Sequence, residues 1–190
     1  LEFAKDIPTV ISSHNIESDI WKRWAANTRN PAIKMLARSQ AKKIERLERY
    51  WYPKAQYCMA VSKEDANIIQ GYGARVNVVE NGVDVEHYDM NENRIDYGSL
   101  IFVASYETFS NQDAAIYFIK EIFPIIRMKK KDVRCLLVGK DPTKKMKYYA
   151  SKERNIVITG TVADVRDYIS KAEVYIVPIR IAGGSRLKIL

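Results

Sequence analysis

Short apolar runs alternate along this chain with longer stretches in which apolar residues recur every three or four positions. That alternation predicts β-α units around parallel sheets. The runs at 9–13, 57–61, 76–79, 100–104, 133–138, 156–159 and 174–177 are short and mostly apolar or β-branched, as strands covered on both faces are. The helical stretches are 33–52, 62–70, 112–128, 143–152 and 162–171. Ser62 with Glu64 and Asp65 supplies a hydroxyl cap and an acidic first turn, and Gly71 and Gly73 close the same helix. Thr143 after Asp141 and Pro142, and Asp164, mark two more helix starts. Between 81 and 99 the chain is polar, rich in Asn and Asp, and keeps neither period. It reads as a connection between two α/β halves, which places one half at 1–88, the connection at 89–99 and the other half at 100–190.

Composition narrows the class. At 47% hydrophobic and 28% charged, the chain has the apolar material for a packed core. No run approaches the ~20 apolar residues that cross a bilayer, and no charged-then-apolar leader is evident, so a soluble, cytoplasmic chain is expected. Cys58 and Cys135 each lie within a strand run and read as small hydrophobes rather than a disulfide pair. The net charge of +8 asks for an anionic partner, and nucleic acid, phospholipid headgroups and nucleotide phosphates all fit. The excess is concentrated at 34–54 and 120–152, both with the look of amphipathic helices whose wet face is either solvated or turned to a membrane.

Chemistry-bearing residues gather at the carboxyl ends of the strand runs, where parallel sheets bind ligands. His14 with Asn15 and Glu17 follows the first strand, the segment 79–84 the third, and Gly139, Lys140, Asp141 and Pro142 the fifth. The segment 178–188 is the most informative: after a buried strand it presents Arg180, the pair Gly183 and Gly184, Ser185, and the cations Arg186 and Lys188. Such a loop leading into a helix can offer free backbone N–H groups, a helix dipole and fixed positive charge to a diphosphate. A tight strand-to-helix turn that needs the glycines only for packing is the other reading of the same local pattern. No cluster of His, Cys or acidic residues has metal-ligand spacing, so no metal is expected.

In this order, these segments resemble the family 4 (group 1) retaining glycosyltransferases of the GT-B fold. The likeness runs through Val61-Ser62-Lys63-Glu64, Asn81-Gly82-Val83-Asp84, Phe102 to Ser105 with Asn111 to Ala114, Val138-Gly139, Ile156 to Val162 with Asp164 to Tyr168, Val174 to Arg180, and Gly183 to Leu190. It covers nearly the whole chain. The resemblance implies two Rossmann-like halves, both incomplete here, with the acceptor side first and the nucleotide-sugar donor side second. It implies sugar transfer from a UDP- or GDP-linked donor to a glycan or lipid-linked acceptor in polysaccharide or cell-surface glycan synthesis. No cofactor beyond the nucleotide sugar is expected, and no nucleic acid. Peripheral contact with an anionic membrane at the inner face of the plasma membrane is expected.

The residue roles follow from the same resemblance. His14 matches the family histidine that faces the transferred sugar. Gly160, Thr161 and Val162 match the contact to the nucleotide base, and Ser105, Gly139, Lys140, Arg180, Gly183, Gly184 and Ser185 complete the donor side. Two departures matter. Ser105-Tyr106-Glu107 stands where the family often has an Arg and a Lys-Gly pair, and Gly183 stands in place of the first glutamate of a paired-glutamate motif. Arg186 and Lys188 are therefore the groups expected to stabilise the leaving diphosphate. A basic nucleic-acid-binding α/β module and a nucleotide-sugar epimerase of the same fold are the alternative readings.

Overall fold

A computed structural model of the chain describes residues 7–84, 95–183 and 189. The chain divides into two compact units, Leu1–Val83 with Ile181–Leu190, and Asp84–Arg180.

In the first unit, strands β1 (Val10–Ser13), β2 (Tyr57–Ala60) and β3 (Val76–Val78) form a parallel sheet in the order β1-β2-β3. Ile11 sits opposite Cys58, and Cys58 opposite Val76. Helices α1 (Glu17–Asn27) and α2 (Pro31–Trp51) cross from β1 to β2, and α3 (Lys63–Gly71) from β2 to β3. Ile16, Tyr52, Cys58 and Ile69 anchor the core between them. Helix α2 begins where Pro31 fits a first turn and Asn30 accepts from the N–H groups of Ala32 (3.0 Å) and Ile33 (3.3 Å). Ser62 caps α3 as its position predicts, accepting from the Asp65 N–H at 3.1 Å.

Helix α1 lies where no helix was expected. Its cap position is Ile16, which offers no side-chain acceptor. The start is satisfied instead from afar: the buried Glu48 carboxylate of α2 accepts from the Ser18 N–H at 3.0 Å. Glu45 of the same helix binds Lys22 of α1 at 2.8 Å and Arg49 at 2.9 Å. The Lys22 hydrogen bond, followed by that of Arg49, holds the Glu45 carboxyl below its ordinary value.

In the second unit, β4 (Asp96–Val103), β5 (Arg134–Val138), β6 (Ile156–Gly160) and β7 (Ala172–Tyr175) form a parallel sheet in the order β6-β5-β4-β7. The first crossover is α4 (Phe109–Tyr117), a π-helical turn (Phe118–Ile122) and α5 (Phe123–Lys129). One uninterrupted helix is expected there, but Pro124 has no N–H and crowds the carbonyl four residues back, and the widened turn accommodates it. Helices α6 (Lys144–Ala150) and α7 (Arg166–Ile169) complete the crossovers. Phe102, Tyr106, Phe118, Phe123, Leu137 and Met146 are the large members of this core.

Two expected boundaries shift. Strand β4 starts inside the segment assigned to the connection, because Asp96 N–H bonds to the Lys171 carbonyl at 2.8 Å and Gly98 N–H to the Glu173 carboxylate. Helix α7 starts later than expected because the Asp164 carboxylate accepts from the Arg166 N–H at 2.9 Å, a local turn that competes with helix.

Candidate functional site

The second unit's sheet reverses its order beside β4: the chain lays β5 and β6 on one side and then crosses to place β7 on the other. In open α/β sheets the carboxyl ends of strands at such a switch point form the ligand crevice. Ser105 lies directly beyond β4 at that point. Its carbonyl accepts from the Asn111 side-chain amide at 2.7 Å, and Gln112 donates to the Tyr106 carbonyl at 2.8 Å, so the first turns of α4 fix the loop. The Tyr106 ring is fully buried and its hydroxyl donates to the Phe102 carbonyl at 3.2 Å. The Ser105 hydroxyl oxygen, by contrast, is buried with no hydrogen-bond partner among the described residues. An orphaned buried hydroxyl at a strand end marks a place where a ligand group could complete it.

The neighbouring strand end is closer still. A Cβ on Gly139 would lie 1.8 Å from the Ala104 carbonyl oxygen, and the residue adopts φ +140, so only glycine lets β4 and β5 converge here. Three backbone bonds tie the strand ends together: Ala104 N–H to the Val138 carbonyl (3.0 Å), Tyr106 N–H to the Lys140 carbonyl (2.9 Å) and Gly139 N–H to the Gly160 carbonyl (3.2 Å). Ser105, Gly139, Lys140 and Gly160 therefore share one edge of the sheet. Exposed Thr161 and half-buried Val162 follow directly from it. Asp141, immediately before Pro142, takes a left-handed φ of 58, a conformation that costs about 1 kcal/mol or more for a side-chain-bearing residue. A cavity of about 600 Å³ lies at the opposite edge of this sheet, beside Arg127, Lys131 and Asn155.

The described cations assigned to the donor each face a carboxylate. Lys140 pairs with Glu107 at 3.3 Å on the surface. Arg180 makes a two-pronged bond to Asp113 of α4, at 2.7 and 3.1 Å, and its guanidinium lies 4.1 Å from the centre of the Tyr117 ring. Arg180 thereby links α4 to the segment after β7. Asp113 enters the sequence reading only within the stretch Asn111 to Ala114 of the family resemblance, with no role assigned, and Tyr117 does not enter it.

In the first unit, the end of β1 is built as firmly. The Ser13 hydroxyl donates to the Asn15 carbonyl at 2.8 Å and lies 2.9 Å from the Tyr52 hydroxyl, leaving His14 exposed on the turn between them. In the orientation that satisfies both neighbours, the Asn15 amide nitrogen donates to the carbonyls of His14 (2.9 Å) and Gly183 (3.0 Å). His14 and Gly183, from opposite ends of the chain, are thereby brought together. Gly184, Ser185, Arg186 and Lys188 lie outside the described residues. Among the described residues no group of three or more His, Cys, Asp or Glu has the arrangement of a metal site.

Two family profiles match the chain in tandem. The profile "Glycosyltransferase Family 4" matches residues 1–87 and "Glycosyl transferases group 1" matches residues 98–190. No curated protein sequence matches the chain. Among solved structures, S. aureus TarM is similar with a TM-score of 0.56 at 12% identity over 70% of this chain and 27% of that one. A glycosyltransferase from Rickettsia africae is similar with a TM-score of 0.50 at 14% identity over 84% of this chain and 53% of that one. The chain thus spans about a quarter of the length of TarM and about half of the Rickettsia protein, and at these identities the likeness is one of fold. Two profiles in tandem, which together match residues 1–87 and 98–190, identify the chain as a member of the group 1, family 4 glycosyltransferases with the α/β architecture of the GT-B fold.

Proposed function

We propose that the protein transfers a sugar from a nucleoside-diphosphate donor to a glycan or lipid-linked acceptor, with retention at the anomeric carbon and without a metal, at the cytoplasmic face of a membrane. The observation that carries this reading is the bond from Asn15 to the Gly183 carbonyl, which sets the start of the glycine turn beside His14. A histidine facing the sugar and a glycine turn facing its diphosphate must be neighbours if both are to touch one donor molecule. As the bond from the anomeric carbon to the phosphate oxygen breaks, negative charge grows on the diphosphate, and fixed cations and N–H groups lower the barrier where that charge appears. Arg186 and Lys188 are the cations proposed for that task. Within the second unit, the orphaned Ser105 hydroxyl and the backbone around Gly139 and Gly160 are proposed as nucleotide contacts.

S. aureus TarM, similar in fold, has been crystallised with UDP, which makes UDP the first probe, with GDP beside it. Calorimetric titration of the chain with each is expected to show saturable binding that EDTA leaves unchanged. Replacing Arg186 or Lys188 by Ala is expected to weaken it by about tenfold, as the loss of one charge-assisted contact does. Absence of saturable binding to either diphosphate, or binding that requires a divalent cation, would refute the reading.

A further inference from the structure

Helix α5 turns one stripe to the core of the second unit and another away from it. Phe123 is buried, and Ile126 packs against the same core. At 100° per residue, Pro124, Arg127 and Met128 fall on the neighbouring stripe, and Lys131 follows one turn on. These residues and the loop between α6 and β6 line a cavity of about 600 Å³, a volume within the range of small-molecule sites. Bonds between the two walls hold it in shape. Arg127 pairs with Glu153 of the loop, and the Asn155 side-chain amide donates to the carbonyls of Lys131 (3.2 Å) and Val133 (2.9 Å).

The charges on these walls do not balance. Arg127, Lys131 and Arg154 are cations, and Glu153, already bound to Arg127, is the one carboxylate among the described lining residues, so two positive charges remain. Lys131 and Arg154 are exposed, and neither has an ion-pair partner among the described residues. The cations on either side of Lys131 in the sequence are engaged elsewhere, Lys130 with Glu173 and Arg134 with Asp96. Pro124 and Met128, the latter 76% exposed, add an apolar patch to the same lining.

We infer that this cavity is a binding site for a phosphorylated small molecule, with Lys131 and Arg154 on the phosphate and Pro124 and Met128 against its apolar portion. A phosphate dianion answers both uncompensated charges and accepts the forked donors of Arg154, whereas a carboxylate answers only one. A nucleic-acid backbone spreads its charges along an open strip, and here the cations converge on one hollow. The site lies at the edge of the sheet opposite Ser105, Gly139 and Gly160, so it is separate from the proposed donor contacts and stands whether or not the chain transfers sugar.

Phenyl phosphate is the probe, since it joins a phosphate to an apolar ring and carries neither base nor sugar. Titration is followed by amide NMR, in which Asn155 and Arg154 report on the cavity and Gly139 and Gly160 on the opposite edge of the sheet. Saturable shifts at Asn155 and Arg154 in the millimolar range or below, with none at the two glycines, are expected. Arg154→Ala and Lys131→Ala should each weaken binding by about tenfold. Met128→Ser should weaken phenyl phosphate several-fold and leave inorganic phosphate unchanged, a split that general attraction to a basic surface does not produce. AMP and a hexose phosphate are expected to move the same signals, the tighter of the two naming the source of the phosphate. Circular dichroism checks that each variant is folded, and the wild-type shifts keep the inference falsifiable if one is not. Absence of a saturable shift at Asn155, shifts confined to Gly139 and Gly160, or equal binding by wild type and both folded cation variants overturns it. So does duplex DNA moving Asn155 where phenyl phosphate does not.

Discussion

A Cβ at Gly139 would sit 1.8 Å from the Ala104 carbonyl oxygen, whereas one at Gly160 would meet nothing within 4 Å; yet both glycines end neighbouring strands and both have positive φ. The two positions therefore separate steric from conformational cost. Gly160→Ala has only the left-handed backbone to bear, about 1 kcal/mol. Gly139→Ala must also push β4 from β5, straining the bonds from Ala104 N–H to Val138 and from Tyr106 N–H to Lys140. We expect Gly139→Ala to cost about 3 kcal/mol or more, lowering the melting temperature by roughly 10 °C, against a few degrees for Gly160→Ala. Thermal melts followed by circular dichroism check this, and equal shifts for the two variants would remove the close approach at Gly139 as the reason the sequence has glycine there.

At the scale of elements, the strut from Arg180 to Asp113 fastens the segment after β7 to α4 within the second unit. If Arg180 acts by holding that segment, rather than by touching phosphate, then losing either partner has the same consequence. Arg180→Ala and Asp113→Ala are expected to weaken UDP binding by similar factors, and the double variant to be no worse than either alone, the signature of two residues acting as one unit. A direct phosphate contact would instead make Arg180→Ala the more damaging change and leave Asp113→Ala neutral or favourable. This pairing was hidden from the sequence because a carboxylate 67 positions away cannot be matched to its arginine by spacing. The same limit explains α1, whose cap comes from Glu48 on another helix, and the early start of β4, whose polar first residues are satisfied by Lys171 and Glu173. The seven strand runs were legible because each is bounded and apolar on its own, and the caps at Ser62 and Thr143 because the N–H groups that donate to them are local. Where the pattern is local the reading succeeds, and where a partner comes from elsewhere in the fold it does not.

Over the whole molecule, each unit has its own core, and each core contains one free cysteine with no exposed surface: Cys58 in the first and Cys135 in the second. Burial raises both thiols, Cys135 to about 12, so neither reacts as a thiolate near neutral pH while its unit is folded. The two cysteines are thus independent reporters of two unfolding events. The first core is built around Ile16, Tyr52 and Ile69 with several alanines, while the second packs Phe102, Tyr106, Phe118, Phe123, Leu137 and Met146. More apolar area leaves water in the second, so it should resist denaturant further. Alkylation with iodoacetamide across a urea series, with the two sites resolved by peptide mass spectrometry, is expected to modify Cys58 at a lower urea concentration than Cys135. Coincident midpoints would mean that the two cores unfold as one cooperative body, and the reverse order that the aromatic-rich core is not the stronger. The separation also bears on the chemistry proposed: a ligand that binds the second unit alone should delay modification of Cys135 and leave that of Cys58 where it was, by mass action on the unit that holds it.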